Sequence, residues 1–398
     1  MNRTITVKYC FLQGGYWTLA AVAMAFTTPL LEAKGFSGTE IGILSAVKYL
    51  AVLIFQMALG SFADKYAGRI PLQRILIIMT LINIIFSFLF WWSGHTFWMA
   101  MVTLIVFGMT IHCASPLVDS LSIQYMSHGV KMNYGISRAC GSLCWAVFCV
   151  VVGWIADAFG VNQILLFQIV VSILFLFFSY IMDPVDFSQK KSENVNTMPS
   201  EQDQVHSCVY LLCHFPKYTL FLIGLVFVFA AYNMNSTFLI DWIGSMGGDH
   251  VDYGMAQFVL AMAEIPVALM FCRIRKHFPI DLLMVVCALF CFLRAAATTF
   301  ASSVTFVILA QGLELFGLSI YYVGTVYFVM DYLPRADAVK GTSLINFAGM
   351  GLGEMIGSIS CGVMKDTFGL MKLMGTSIVV GFAGVIVMII MWQIRKER

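Results

Sequence analysis

DPVDFSQKKSENVNTMPSEQDQVHSCVYLLCHF, residues 183–215, is the stretch that decides the fold. Its Ser, Asn, Gln, Asp, Glu and Lys make a polar linker, and the sequence on either side is dominated by long apolar runs. Before it, runs fall near 9–31, 41–63, 72–93, 97–120, 134–156 and 161–182; after it, near 216–243, 254–272, 280–301, 304–330, 341–363 and 370–394. Each is about what a helix needs to cross a ~30 Å hydrocarbon layer at ~1.5 Å per residue, and far too long for a barrel strand. Lipid offers no partner to backbone N–H and C=O groups, so the runs must be helices. The reading is an all-α integral membrane protein with twelve transmembrane helices in two six-helix bundles. The N-terminal bundle is placed at 1–183, a cytoplasmic linker at 184–215 and the C-terminal bundle at 216–398.

Composition agrees with a lipid solvent. The 398 residues are 60% hydrophobic and 11% charged with a formal net charge of +2, which a soluble core cannot hide and a nucleic-acid partner would not select. The first apolar run is too long for a signal-peptide core and has no small-residue cleavage site ahead of it, so it reads as a retained helix. Of the Lys and Arg residues outside the spans, only Lys34, Lys365 and Lys372 fall on one set of loops, and the rest crowd the other set. That bias places both termini in the cytoplasm, and the expected location is a bacterial cytoplasmic membrane. All the cysteines except Cys208 and Cys213 lie in or beside apolar runs, which favours packing over a disulfide framework or a zinc site. No metal, organic cofactor or catalytic centre is expected, and the chain reads as a monomer.

Chemistry is carried by polar residues inside the runs. Charges there cost about 2.5–3.5 kcal/mol each at a helix centre on the mildest scale, and seven stand out: Asp119, Glu264, Glu314 and Glu354 against Lys48, Arg138 and Arg294. Four carboxylates face three cations, so at least one lacks a fixed partner and can take up and release a proton. The bland alternative is that all seven merely glue helices together. By depth, Asp119 of the fourth span and Arg138 of the fifth can meet near the cytoplasmic side. Glu264, Arg294 and Glu314 fall at a common level of the second half.

The fifth span reads YGISRACGSLCWA, Tyr134–Ala146, and sets Arg138, Gly141, Ser142 and Trp145 on one helical face. A guanidinium fork and an indole plate, separated by two small residues, make a floor on which a ring can lie. A lipid-facing or core tryptophan is the alternative for Trp145. His112 and Pro116 share a face with Asp119, so His112 either lines the same cavity or is satisfied within the bundle. Gly349, Gly353 and Gly357 form a small-residue stripe whose expected job is close helix packing.

The loop GSFADKYAGR, Gly60–Arg69, resembles the signature of the same loop in the major facilitator superfamily, with one extra residue, Ala67, before Gly68. Gly60, Asp64, Lys65, Gly68 and Arg69 are read as a gating latch, against an ordinary basic loop. Ser115-Pro116-Leu117-Val118-Asp119 followed by Tyr134-Gly135, Arg138, Gly141 and Trp145, with Phe55-Gln56 ahead of Gly60, resembles the lactose permease group of oligosaccharide:proton symporters and the related nucleoside and phenylpropionate permeases. The resemblance implies a solute site near the bilayer midplane, at the interface of the two halves. It gives Asp119 and Arg138 the sugar hydroxyls and Trp145 the ring, and it matches Tyr232, Glu264 and Arg294 to a tyrosine, an acid and an arginine of the second half. The acid of the family's seventh helix becomes Ser236 or a neighbour, and the histidine and acid of its tenth become Glu314 and Gly317. Proton coupling is therefore expected through Glu314, with Glu264 second and Arg294 as their partner.

A proton-coupled symporter of a small polar solute, sugar or oligosaccharide first, follows from this reading. A nucleoside or small aromatic acid symporter is the alternative. An efflux antiporter on the same fold is disfavoured because the fifth span lacks a Gly-Pro element. A sodium-coupled carrier would want several oxygens where Lys48 stands, and a receptor would not need surplus buried carboxylates.

Overall fold

The computed structural model describes residues 3–65, 70–93, 95–127, 132, 134–182, 207–334 and 337–394. Among them all regular structure is helical. Among the described residues eleven stretches are long and apolar enough to cross a membrane, from Gly38–Gln56 to Leu370–Gln393. The run expected at 9–31 is helical too but divided: α1 spans Arg3–Ala20, a π-helical turn covers Ala21–Ala25, and α2 restarts at Thr27–Ala33 after Phe26. The chain is a multi-pass membrane protein.

Local sequence explains the ends. Ser37 and Glu40 form a reciprocal capping box at the start of α3, Gly38–Lys65, with the Ser37 N–H donating to Glu40 Oε2 at 2.8 Å and the Glu40 N–H to Ser37 Oγ at 3.3 Å. Between α17, Glu354–Phe368, and α18, Leu370–Gln393, the chain turns at Gly369 with φ +83°, a conformation that favours glycine. Most of the expected linker lies outside the described residues. Its end is helical, which its polar composition does not suggest: α9, Cys208–His214, begins where Ser207 Oγ accepts the Tyr210 N–H at 3.2 Å. A Ser cap followed by CVYLL is enough for a turn or two of helix. Gly60, Asp64 and Lys65 fall on the last turns of α3, and their side chains, like Gly68 and Arg69 altogether, lie outside the described residues.

The chain divides into two compact units, Met1–Lys191 with Gly247–Met262, and Ser192–Met246 with Ala263–Arg398. In the first unit α4, Leu72–Ser93, and α8, Gln163–Tyr180, are tied by a buried polar knot. Gln168 Nε2 donates to Ser87 Oγ at 3.1 Å, Ser172 Oγ to Asn83 Oδ1 at 3.1 Å, and Asn83 Nδ2 to Thr110 Oγ1 at 3.3 Å. Such bonds hold helices together where lipid tails supply no hydrophobic drive. The start of α12, His250–His277, belongs to this unit and packs backbone to backbone on α7, Tyr134–Phe159. A Cβ at Gly254 would meet Cys149 O at 2.5 Å, and Asp157 accepts from the N–H groups of His250 and Val251 at 3.3 and 3.0 Å.

In the second unit α10, Pro216–Thr237, is the central post, packed on α17, α18 and the π-helical turn Phe347–Gly353. The glycine stripe does the packing expected of it. Cβ atoms at Gly349 and Gly353 would come within 2.9 and 2.7 Å of Phe229, and one at Gly357 within 2.7 Å of Ala230 O. Near one end Lys217 Nζ donates to Asp281 Oδ2 at 2.6 Å, and that oxygen also accepts from Tyr332 OH at 3.1 Å. Gly357→Ala should therefore lower stability by about 1–3 kcal/mol through overpacking against backbone that cannot yield. Gly375→Ala, with nothing within 4 Å of its Cβ, should leave stability unchanged or raise it by up to ~1 kcal/mol on helix propensity. Thermal unfolding of the two variants in detergent checks the contrast.

Candidate functional site

Among the described residues each unit holds a cluster of the expected site residues, and the two clusters differ in kind. In the first unit Asp119 projects from α6, Ala114–Ser127, and Arg138 and Trp145 from α7. They are assembled by two residues of α1 that sequence reasoning missed. Gln13 Nε2 donates to Asp119 Oδ1 at 2.9 Å, and Gln13 Oε1 accepts from Trp17 Nε1 at 3.0 Å. The Arg138 guanidinium lies over the Trp17 ring, 4.3 Å from its centroid, and its Nη1 donates to Ser142 Oγ at 3.1 Å. Trp145 sets its ring edgewise to Trp17, centroids 5.9 Å apart. Tyr134 OH gives Asp119 Oδ1 a second donor at 3.0 Å.

By depth Asp119 and Arg138 can meet. Among the described residues each is held by neutral partners, and the Gln13–Trp17 bridge joins them. The carboxylate remains a hydrogen-bond acceptor and the guanidinium a donor fork, both half-buried, neither cancelled by the other. His112 ends the π-helical turn Gly108–His112 and faces α3, its ring 6.2 Å from that of Tyr49, over which Lys48 Nζ lies at 4.6 Å. No described contact brings it to the Trp17 platform.

In the second unit Arg294 of α13, Ile280–Thr299, is 1% exposed and Glu314 is 0% exposed, so both are buried within the bundle. Arg294 lies over Tyr232 at 4.1 Å, and its Nη1 and Nη2 donate to Gln311 Oε1 at 2.9 Å and Ser236 Oγ at 3.1 Å. Its Nε reaches Glu314 Oε2 only at 3.5 Å, and neither atom has a hydrogen-bond partner. Helix geometry explains the placement. The chain leaves α14, Val304–Ala310, through a 3₁₀ turn, Gln311–Phe316, and restarts as α15, Leu318–Tyr332, after Gly317. Glu314 Oε1 accepts the Leu318 N–H at 2.9 Å and so caps the restarted helix. Gly317 leaves room for the carboxyl, since a Cβ there would lie 3.1 Å from Oε2. Glu264 stands half-buried on the part of α12 in this unit. The structure brings Tyr232, Arg294 and Glu314 together.

Residues 9–374 match the family model described as the MFS_1 like family. The chain belongs to that family. Solved structures of the same superfamily share its fold. A variant of the nucleoside transporter NupG superimposes with a TM-score of 0.83 at 14% identity over 98% of this chain and 100% of that one. The D-xylose-proton symporter superimposes with a TM-score of 0.71 at 13% identity over 99% and 98%. A peptide transporter, POT, reaches 0.66 at 13% identity over 98% and 94%. A search of curated proteins finds no match. At these identities the neighbours speak for the fold alone.

Within an MFS_1 like chain the two missed residues of α1 had a legible signal. Gln13 is the one side-chain amide of its apolar run, and Trp17 follows it by one helical turn. Gly141 has a corresponding duty on α7, because a Cβ there would stand 2.4 Å from Trp17 Cδ1. Gly141→Ala should push the indole from beneath Arg138 and raise the solute concentration for half-maximal exchange about tenfold, ~1.4 kcal/mol of binding. The protein should still reach the membrane. Exchange kinetics in proteoliposomes, with quantified incorporation, check both halves.

Proposed function

We propose that this protein is a secondary active transporter that carries a small polar solute together with protons by alternating access. A sugar or oligosaccharide is the first choice. The proposal includes twelve spans in a bacterial cytoplasmic membrane, both termini inside, a monomer as the transporting unit, and no cofactor beyond the proton. One observation carries it. Arg138 lies at 4.3 Å on the Trp17 ring beside an Asp119 whose Oδ1 is committed to Gln13 and Tyr134. A donor fork lies on an indole and a carboxylate acceptor stands one glutamine bridge away, which suits a ring with hydroxyls on its rim and an apolar face. A nucleoside satisfies the same set through its ribose hydroxyls and its base, and the paired indoles Trp17 and Trp145 favour that second reading.

Coupling is assigned to Glu314, with Glu264 second. A carboxyl wholly buried beside a guanidinium it does not hydrogen-bond has an incomplete partner, and a proton can complete it. Counterflow of labelled lactose, D-xylose and uridine in proteoliposomes, with and without a protonophore, tests the function; absence of counterflow for sugars and nucleosides alike overturns it.

Two variant sets test the residues. Arg138→Lys should abolish exchange, at least a hundredfold, because a point charge cannot reproduce the planar fork; Trp145→Phe should keep partial transport and Trp145→Ala lose it. Glu314→Gln should still exchange solute at equilibrium yet fail to accumulate it against a gradient. Normal proton-driven accumulation by that variant removes Glu314 from the coupling step.

A further inference from the structure

We propose that Gln13 is the positioning residue of the solute site, its one amide fixing the carboxylate of Asp119 and the indole beneath Arg138 in a single register. The inference rests on the reading of that site given above. Gln13 is fully buried and all its polar capacity is directed. One side-chain amide nitrogen donates both to Asp119 Oδ1 at 2.9 Å and to Tyr9 OH at 3.0 Å, and Tyr9 OH in turn donates to Val118 O at 2.8 Å. Its oxygen accepts from Trp17 Nε1 at 3.0 Å.

The orientation of the amide follows from chemistry. An indole N–H can only donate, so it must face the amide oxygen, and the NH₂ must then face Asp119. Asp119 meets that NH₂ as an acceptor. Among the described residues its protein donors, Gln13 and Tyr134, both fall on Oδ1, and the proposal assigns Oδ2 to a solute hydroxyl. The anchor at Tyr9 ties the amide to the backbone of Val118, the residue before Asp119, so α1 and α6 move as one at this point. Glutamine is the only side chain that meets all three demands: asparagine is one methylene short, glutamate brings no donor when ionised, and leucine fills the space with none of the bonds.

The substitution Gln13→Glu separates positioning from packing. The introduced carboxyl would be surrounded by Asp119, Tyr9, Tyr134 and Arg138, and it can donate to Asp119 only while protonated. Exchange of labelled uridine, D-xylose and lactose is measured in proteoliposomes with protonophore, from mildly acid to mildly alkaline pH, for wild type, Gln13→Glu, Gln13→Leu and Arg138→Lys. The expected result is near-normal apparent affinity for Gln13→Glu at acid pH and a loss of about tenfold or more at alkaline pH, beyond any change in wild type. Gln13→Leu should be weakened at every pH.

A purely structural glutamine would change yield or thermal stability without adding a pH dependence to affinity. An affinity for Gln13→Leu equal to wild type, with Arg138→Lys inactive, overturns this proposal and leaves the site reading standing. An active Arg138→Lys overturns the site reading itself. A solute-free arm uses tryptophan emission against pH: Gln13→Glu should show a step absent from wild type and Gln13→Leu, and coincident profiles also overturn the proposal.

Discussion

A cation in hydrocarbon must be solvated by the protein, and in this chain aromatic rings do much of that work. Arg138 rests on Trp17 at 4.3 Å, Arg294 on Tyr232 at 4.1 Å and Lys48 on Tyr49 at 4.6 Å. A ring face attracts a cation by about 0.5–2 kcal/mol without neutralising it. A salt bridge would give more Coulomb energy but would consume the donor. Stacking therefore makes it possible for a charge to be stable in the membrane without being neutralised, and for the half-buried Arg138 to keep its donors for something polar.

The two units use the constraint differently. In the first, Asp119 and Arg138 are held apart by neutral bridges and stay half-buried, as a surface that must meet something polar. In the second, Arg294 and Glu314 are buried within the bundle yet too far apart at 3.5 Å for a good hydrogen bond. Buried ion pairs recover their desolvation cost only with good geometry and full hydrogen bonding. Lys217 and Asp281 in the same unit have both, with Tyr332 and the Ile394 carbonyl completing the set. The contrast within one unit separates a pair that fastens helices from a pair left incomplete.

Much of this was legible in the sequence because membranes impose a severe code. The apolar runs and the polar linker dictated helices, and the cost of intramembrane charge pointed to Asp119, Arg138, Arg294 and Glu314. The glycine stripe of α17 and the turn before it could be read as packing because small residues at every fourth position have few other uses. What escaped depends on how helices meet. That Trp17 would lie under Arg138 requires α1 to pack on α7 at Gly141, and no spacing within one helix encodes it. The 3₁₀ turn that makes Glu314 a helix cap was hidden for a similar reason: QGLELFG reads as ordinary helix, and only tertiary bonds such as Gln311 to Arg294 show where it breaks.

The partners of Arg294 also bear on electrical behaviour. Besides Glu314 it is held by an amide and a hydroxyl, Gln311 and Ser236, which cannot give up a positive charge in exchange when a proton arrives. On the coupling proposed above, protonation of Glu314 adds one net charge to its unit, and the translocated complex then carries that charge with a neutral solute. A membrane potential does about 2.3 kcal/mol of work per elementary charge per 100 mV. Voltage, and not acidity alone, would then set how steeply such a carrier can concentrate its cargo.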